Sequence, residues 1–202
     1  MIKTGKYYIP NMSVLFKKSC VGLSVIVFVL LFGLFTHELG HGFTAMVFGA
    51  EITYIEIMPG IQLYPEIKRI EWDGNVGSIG HLSLDSEWKS GLATLMGSGS
   101  TAIVAYLAIV ALYALRPKGT LRFALFLVSL IFAIDIVAYS ILPKFGLQHW
   151  IIIGGTSPEP LIGALMLGVS ETAFYTATIL HFIVSYGLTA NYIVNLLQNQ
   201  RI

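Results

Sequence analysis

Residues 34–42 read Leu-Phe-Thr-His-Glu-Leu-Gly-His-Gly, and they close an apolar run in which residues 21–35 carry no charge. A run of this kind, resumed by the apolar residues 43–48, exceeds the ~20 residues that a helix needs to cross the hydrocarbon of a bilayer. Two histidines and a glutamate at that depth are costly, on the order of 3 kcal/mol for an ion near the bilayer centre. Such groups need either hydrogen-bonding partners on neighbouring helices or a shared task. Successive helical residues turn by about 100°, so positions i and i+4 share a face one turn apart. His37 and His41 can therefore aim their imidazoles at one metal ion. Glu38 stands beside that pair, where a carboxylate can take a proton from water in a His-Glu-x-x-His hydrolytic site.

Of 202 residues, 55% are apolar and 11% charged, so the chain lies far from the soluble norm and has room for a single membrane domain. A formal net charge of +1 and the lack of a basic aromatic patch give no case for nucleic-acid binding. Cys20 is the only cysteine, which excludes an intrachain disulfide and a thiolate metal cluster. Any metal must be held by His, Asp or Glu. Lys17 and Lys18 before the apolar run resemble the start of a signal peptide, but no small-x-small cleavage site follows, so the segment reads as a retained span. The first sixteen residues read as a polar and aromatic interfacial lead.

The predicted architecture is an all-α integral membrane helix bundle with a small β insertion. Spans are expected at about residues 20–49, 92–115, 121–142 and 171–197, with Ser170 capping the last and a short half-helix at 159–169. Residues 50–90 differ. Residues 51–57 alternate polar and apolar, the period-2 signal of a half-buried strand, and residues 61–64 can return after the turn Met58-Pro59-Gly60. A second hairpin is predicted from 70–72 and 76–84 around Asp73-Gly74-Asn75. Gly97-Ser98-Gly99-Ser100 reads as a small-residue face where helices pack closely.

A catalytic zinc takes three protein ligands and a water, so the histidine pair needs a third partner. Two carboxylates qualify. Glu159 stands at the entry to the half-helix. Asp135, inside the third span, can be a ligand or can orient a ligand imidazole by hydrogen bonding. His149 beside Trp150 reads as an interfacial aromatic pair, Glu171 as a helix N-terminal carboxylate and His181 as a packed polar residue.

At this point the chain resembles the site-2 proteases, intramembrane zinc metalloproteases built as helix bundles. The resemblance is carried by His37-Glu38-Leu39-Gly40-His41-Gly42, by the strand-forming segment after Gly49 and by a later proline-containing turn with a carboxylate. It covers most of residues 35–168. The family's third ligand is an aspartate in a Leu-Asp-Gly motif. Here Tyr139-Ser140-Ile141-Leu142-Pro143 is similar to the family's proline loop, and Leu165-Met166-Leu167-Gly168 to the end of its ligand helix. Glu159 stands in place of the aspartate and Pro160 in place of the glycine, a departure that requires a shifted backbone. The family's PDZ domain has no room.

The resemblance implies Zn2+ held by His37, His41 and Glu159, with Asp135 as the alternative third ligand, Glu38 as general base and a membrane protein segment as substrate. The predicted sheet offers an edge, near Ile55, Ile57 and Ile61, to which an extended substrate segment could add as a strand. A metal-binding transporter using His37, His41 and Asp135, a catalytically silent membrane scaffold, and a zinc hydrolase acting on another substrate remain open. Lys3, Lys6, Lys17, Lys18, Arg116, Lys118, Arg122 and Arg201 fall on one side of a four-span arrangement, which by the positive-inside rule puts the N-terminus in the cytosol and the sheet outside. The family resemblance implies a metal nearer the cytosol, so the two readings differ. Oligomeric state is not legible.

Overall fold

The computed structural model describes residues 12–199. Most of the predicted lead, together with Lys3, Lys6 and Arg201, lies outside the described residues. Five α-helices and a small sheet follow in the order α1 (Met12–Val47), β1 (Ile52–Ile57), β2 (Ile61–Tyr64), β3 (Lys68–Arg69), β4 (Gly77–His81), α2 (Glu87–Leu115), α3 (Gly119–Ile141), α4 (Glu159–Met166) and α5 (Glu171–Gln198). A 3₁₀ turn, Leu142–Phe145, extends α3.

Four of these helices are long and apolar enough to cross a membrane. Three start earlier than predicted, α3 by only two residues. α1 already covers residues 12–19, where neither Pro nor Gly interrupts the helix. α2 begins at Glu87 rather than 92, because its first turn is polar and escapes a reading by hydropathy; a carboxylate there also suits the helix dipole. α4 ends at Met166 instead of 169. Ser170 caps α5 as expected, its hydroxyl accepting from the Ala173 N–H at 3.3 Å.

α1, α2 and α3 meet around Val29, Ala105, Ala108, Val128, Phe132 and Ala133, all buried. Large apolar side chains such as Phe28, Leu31, Leu107, Val110, Ile179 and Ile183 cover the outside of the bundle and are exposed. Small residues set the closest crossings. The Ser100 hydroxyl donates to the Thr36 carbonyl at 2.7 Å and fixes α2 against α1. Where α4 crosses α2, Gly163 and Gly91 leave room for backbone on backbone: a Cβ at Gly163 would stand 2.6 Å from the Gly91 carbonyl oxygen.

α1 stops at a left-handed glycine, Gly49 (φ 86°), with the Ala50 N–H returned to the Ala45 carbonyl at 3.0 Å. The chain then enters an antiparallel sheet of order β3-β2-β1-β4. β1 and β2 form the expected hairpin. The second predicted hairpin does not form. Ile70 is tied back to Gly60, Trp72 Nε1–H closes onto the Asn75 carbonyl, and Asp73 accepts from the Asn75 N–H. Residues 70–75 therefore make a closed turn, and β4 lies on the other side of β1, with Ile55 opposite Ile79 and Ile57 opposite Gly77. This also corrects the expected sheet edge. Ile55 and Ile57 sit in the central strand and Ile61 is paired on β2, so none of the three is at an edge. β4 is the edge strand next to α1.

Candidate metal centre

His37 and His41 lie on one face of α1, their ring centroids 5.0 Å apart and their Nε2 atoms 3.2 Å apart. Each ring is held from behind. His37 Nδ1–H donates to the Asp135 carboxylate at 2.9 Å, and His41 Nδ1–H donates to the Ala93 carbonyl at 2.8 Å. These bonds fix the tautomer that leaves both Nε2 lone pairs pointing at a common space. Asp135 is in turn held by the Thr101 hydroxyl at 3.0 Å. It therefore occupies the side of His37 away from the common space, the orienting position of the two that the sequence allowed.

The third donor arrives on α4. Pro160 occupies the first turn, where its missing N–H costs nothing, and the Gly163–Gly91 crossing presses the helix onto α2. Glu159 is thereby brought to 3.7 Å from His37 Nε2 and 3.6 Å from His41 Nε2. One ligand atom from each of His37, His41 and Glu159 lies within 4.8 Å of the other two.

The chemistry of this set asks for a cation. Three acceptors converge, the two imidazole N–H groups being used elsewhere and the carboxylate having none, a repulsive arrangement unless a positive charge sits among them. Donors about 2.1 Å from a tetrahedral ion stand about 3.4 Å from one another. The observed 3.2, 3.6 and 3.7 Å match that spacing. Clearance comes from Gly97 on α2: a Cβ there would meet His41 Nε2 and come within 2.7 Å of His37 Nε2. The stretch 97–100, read from the sequence only as a packing face, thus also makes room beside the donors. The residues fit a divalent metal ion.

The centre opens on a cavity of about 250 Å³ lined by Glu38, His41, Glu159, Tyr139, His149 and the edge residues 76–79 of β4 and its approach. Glu38 is almost buried at 8% exposure and forms one wall beside the histidines. Residues 147–157 form a strap over the opposite wall. The His149 N–H donates to the Gly155 carbonyl at 3.0 Å, and the Gly154 N–H reaches the Gly74 carbonyl at 3.2 Å, joining the strap to the turn before β4. Ile151, a β-branched residue at φ 71°, carries the strain of this tight path.

Two aromatic neighbours of the centre were not evident in the sequence. Tyr139 lies between His37 and His149, its ring centroid 4.3 Å from the first and 3.8 Å from the second. His149 is buried within the protein, at 3% exposure, and donates Nε2–H to the Ser157 carbonyl at 2.7 Å. Burial pushes its pKa down, so the imidazole is neutral at pH 7. The Tyr139 position next to the proline turn was the one sequence signal that pointed here. Glu171 pairs with Lys144, and His181 bonds the Ala133 carbonyl at 3.0 Å; both lie apart from the centre.

Removing the charge behind His37 gives a graded test. Asp135→Asn keeps the shape and loses the anionic acceptor for Nδ1–H. Metal affinity is expected to fall about 10- to 100-fold, measured by competition with a chromophoric chelator. A ligand-removing change such as His41→Ala should abolish binding in the same assay.

No protein-family model, curated protein or solved structure matches this chain.

Proposed function

We propose that this chain is an integral membrane zinc metallopeptidase, resembling the site-2 proteases, that hydrolyses peptide bonds in membrane-embedded or membrane-proximal protein segments. The observation that carries the reading is the meeting of His37, His41 and Glu159 donors within 4.8 Å, with Glu38 on the adjoining cavity wall. The four long apolar helices support placement in a bilayer, and His37 and Glu38 on the first of them are buried within the protein.

His37, His41 and Glu159 would hold the ion, and a zinc ion bound there would supply Lewis acidity for water and a carbonyl oxygen. Glu38 takes the proton from the attacking water and delivers it to the nitrogen of the leaving amine. Asp135 and the Ala93 carbonyl keep the two imidazoles in the tautomer and rotation that ligation needs. The strap and Tyr139 wall the cavity. A helical substrate hides its carbonyls in its own hydrogen bonds, so it must be extended before attack. β4 offers an edge along the cavity on which an extended segment can add as a strand, its backbone held by N–H and C=O groups while Glu38 faces the bond to be cut.

Metal removal tests this reading. Detergent-purified protein is incubated with a set of single-span peptides, and products are read by mass spectrometry. Cleavage is expected, is lost after treatment with 1,10-phenanthroline, and returns on adding one equivalent of zinc. Cleavage that persists without metal, or zinc flux across liposomes with no product from any peptide, would refute the peptidase reading.

A further inference from the structure

The end of the bundle opposite the metal centre holds a second cavity, of about 400 Å³, between the last turns of α2 and α5 and the start of α3. Its lining includes Arg116, Lys118, Arg122, Tyr113, Tyr192 and Asn195. Among the described residues, no Asp or Glu comes within ion-pairing distance of any of the three cations. Every carboxylate side chain of the described chain belongs to Glu38, Asp135, Glu159, Glu171 or residues 51–87. None of these is in the α2–α3 turn or the last turns of α5. Lys17 and Lys18, near the start of α1, add to the positive end: α1 residues 20–28 flank Thr120, Leu121 and Ala124 of α3.

The helix C-terminus of α2 favours nearby cations by itself. It does not account for a concave site with a rigid polar wall. Tyr113 donates its hydroxyl to the Leu188 carbonyl at 2.8 Å and accepts from Asn191 Nδ2–H at 2.9 Å, so this side of the cavity is fixed. Arg116 stands at φ 47°, a left-handed position at which glycine is the unstrained choice. A cation is thus placed at the rim at a backbone cost. Arg122 is half-buried along the cavity, and a guanidinium matches the paired oxygens of a phosphate.

We infer that this cavity binds a phosphate group, and that in the bilayer its source is the headgroup of an anionic phospholipid. The cavity lies at the ends of three membrane-length helices, where headgroups are, and basic pockets between span ends are suited to anionic lipid. Tyr113 and Tyr192 at the same level suit the membrane–water interface. The inference depends on the membrane placement of the bundle and is independent of hydrolysis at its other end. By the positive-inside rule the same end faces the cytosolic leaflet.

The test uses full-length protein delipidated in a non-ionic detergent, titrated separately with phosphatidylglycerol, phosphatidylcholine and inorganic phosphate. The comparison variant is Arg116→Asn with Lys118→Ser. Asparagine tolerates the left-handed conformation and serine suits the helix N-cap, so the charges go without a folding cost. Phosphatidylglycerol is expected to bind at least tenfold more tightly than phosphatidylcholine, and the variant to weaken it about twentyfold while zinc content stays unchanged. Inorganic phosphate that binds below millimolar and displaces phosphatidylglycerol supports the phosphate site and moves its source to soluble anion. Equal binding of the two lipids, or a variant that binds phosphatidylglycerol as the parent does, overturns the inference. Lost lipid preference with retained cleavage would leave the peptidase reading standing, and the reverse result would leave this one standing.

Discussion

Gly97→Ala is expected to remove the metal while leaving the helices intact. The added methyl would press on His41 Nε2 and lie within 2.7 Å of His37 Nε2, in the space the donors share. Neither imidazole can retreat, because Asp135 and the Ala93 carbonyl hold them from behind at 2.9 and 2.8 Å. Alanine is also the better helix former by about 1 kcal/mol, so α2 itself is not weakened. Zinc per chain, measured by plasma mass spectrometry, should fall from about one to under a tenth, with an unchanged circular dichroism spectrum. A variant that keeps its zinc would show that the donors do not meet where Gly97 makes room for them.

Glu38→Gln is expected to have the opposite pattern: full metal content with peptide cleavage reduced by about 10²- to 10⁴-fold. The amide fills the same volume on the cavity wall but cannot accept the proton of attacking water. A loss in kcat with little change in KM would mark a group acting in the transition state. Turnover equal to the parent would remove Glu38 from that role. The two substitutions separate holding the metal from using it, because Gly97 touches the donors and Glu38 stands beside them.

Much of the centre could be read from the chain because it depends on local geometry. The four-residue interval between His37 and His41 fixes a shared helical face, whatever packs around it. Glu159 could be named because few carboxylates occur near apolar segments, and Asp135 could be named for the same reason. The place of Glu159 at the entry to the half-helix favours it as third ligand, with Asp135 next, and the packing supplies the geometry of both. The sequence does not say that α3 lies behind His37 while α4 is pressed forward onto α2 at Gly163 and Gly91. Strand pairing failed at the same boundary. β1 and β2 are joined by a short turn and were predicted, whereas β4 pairs with a strand twenty residues earlier, across a turn that Trp72 and Asp73 close on themselves. The burial of His149 is not legible because a histidine beside a tryptophan in a loop carries no signal of it. Its place against Tyr139 accompanies the tie between the strap and the turn before β4 at Gly74.

The joint grip of two imidazoles and one carboxylate on a single ion is the premise of the rest, and X-ray absorption at the zinc edge of the purified protein addresses it directly. The expected result is one zinc per chain with a first shell of two imidazole nitrogens and light oxygen donors, and loss of an oxygen contribution or of the zinc itself in Glu159→Ala. Substoichiometric zinc in the parent protein, or a shell with fewer than two imidazoles, would contradict it.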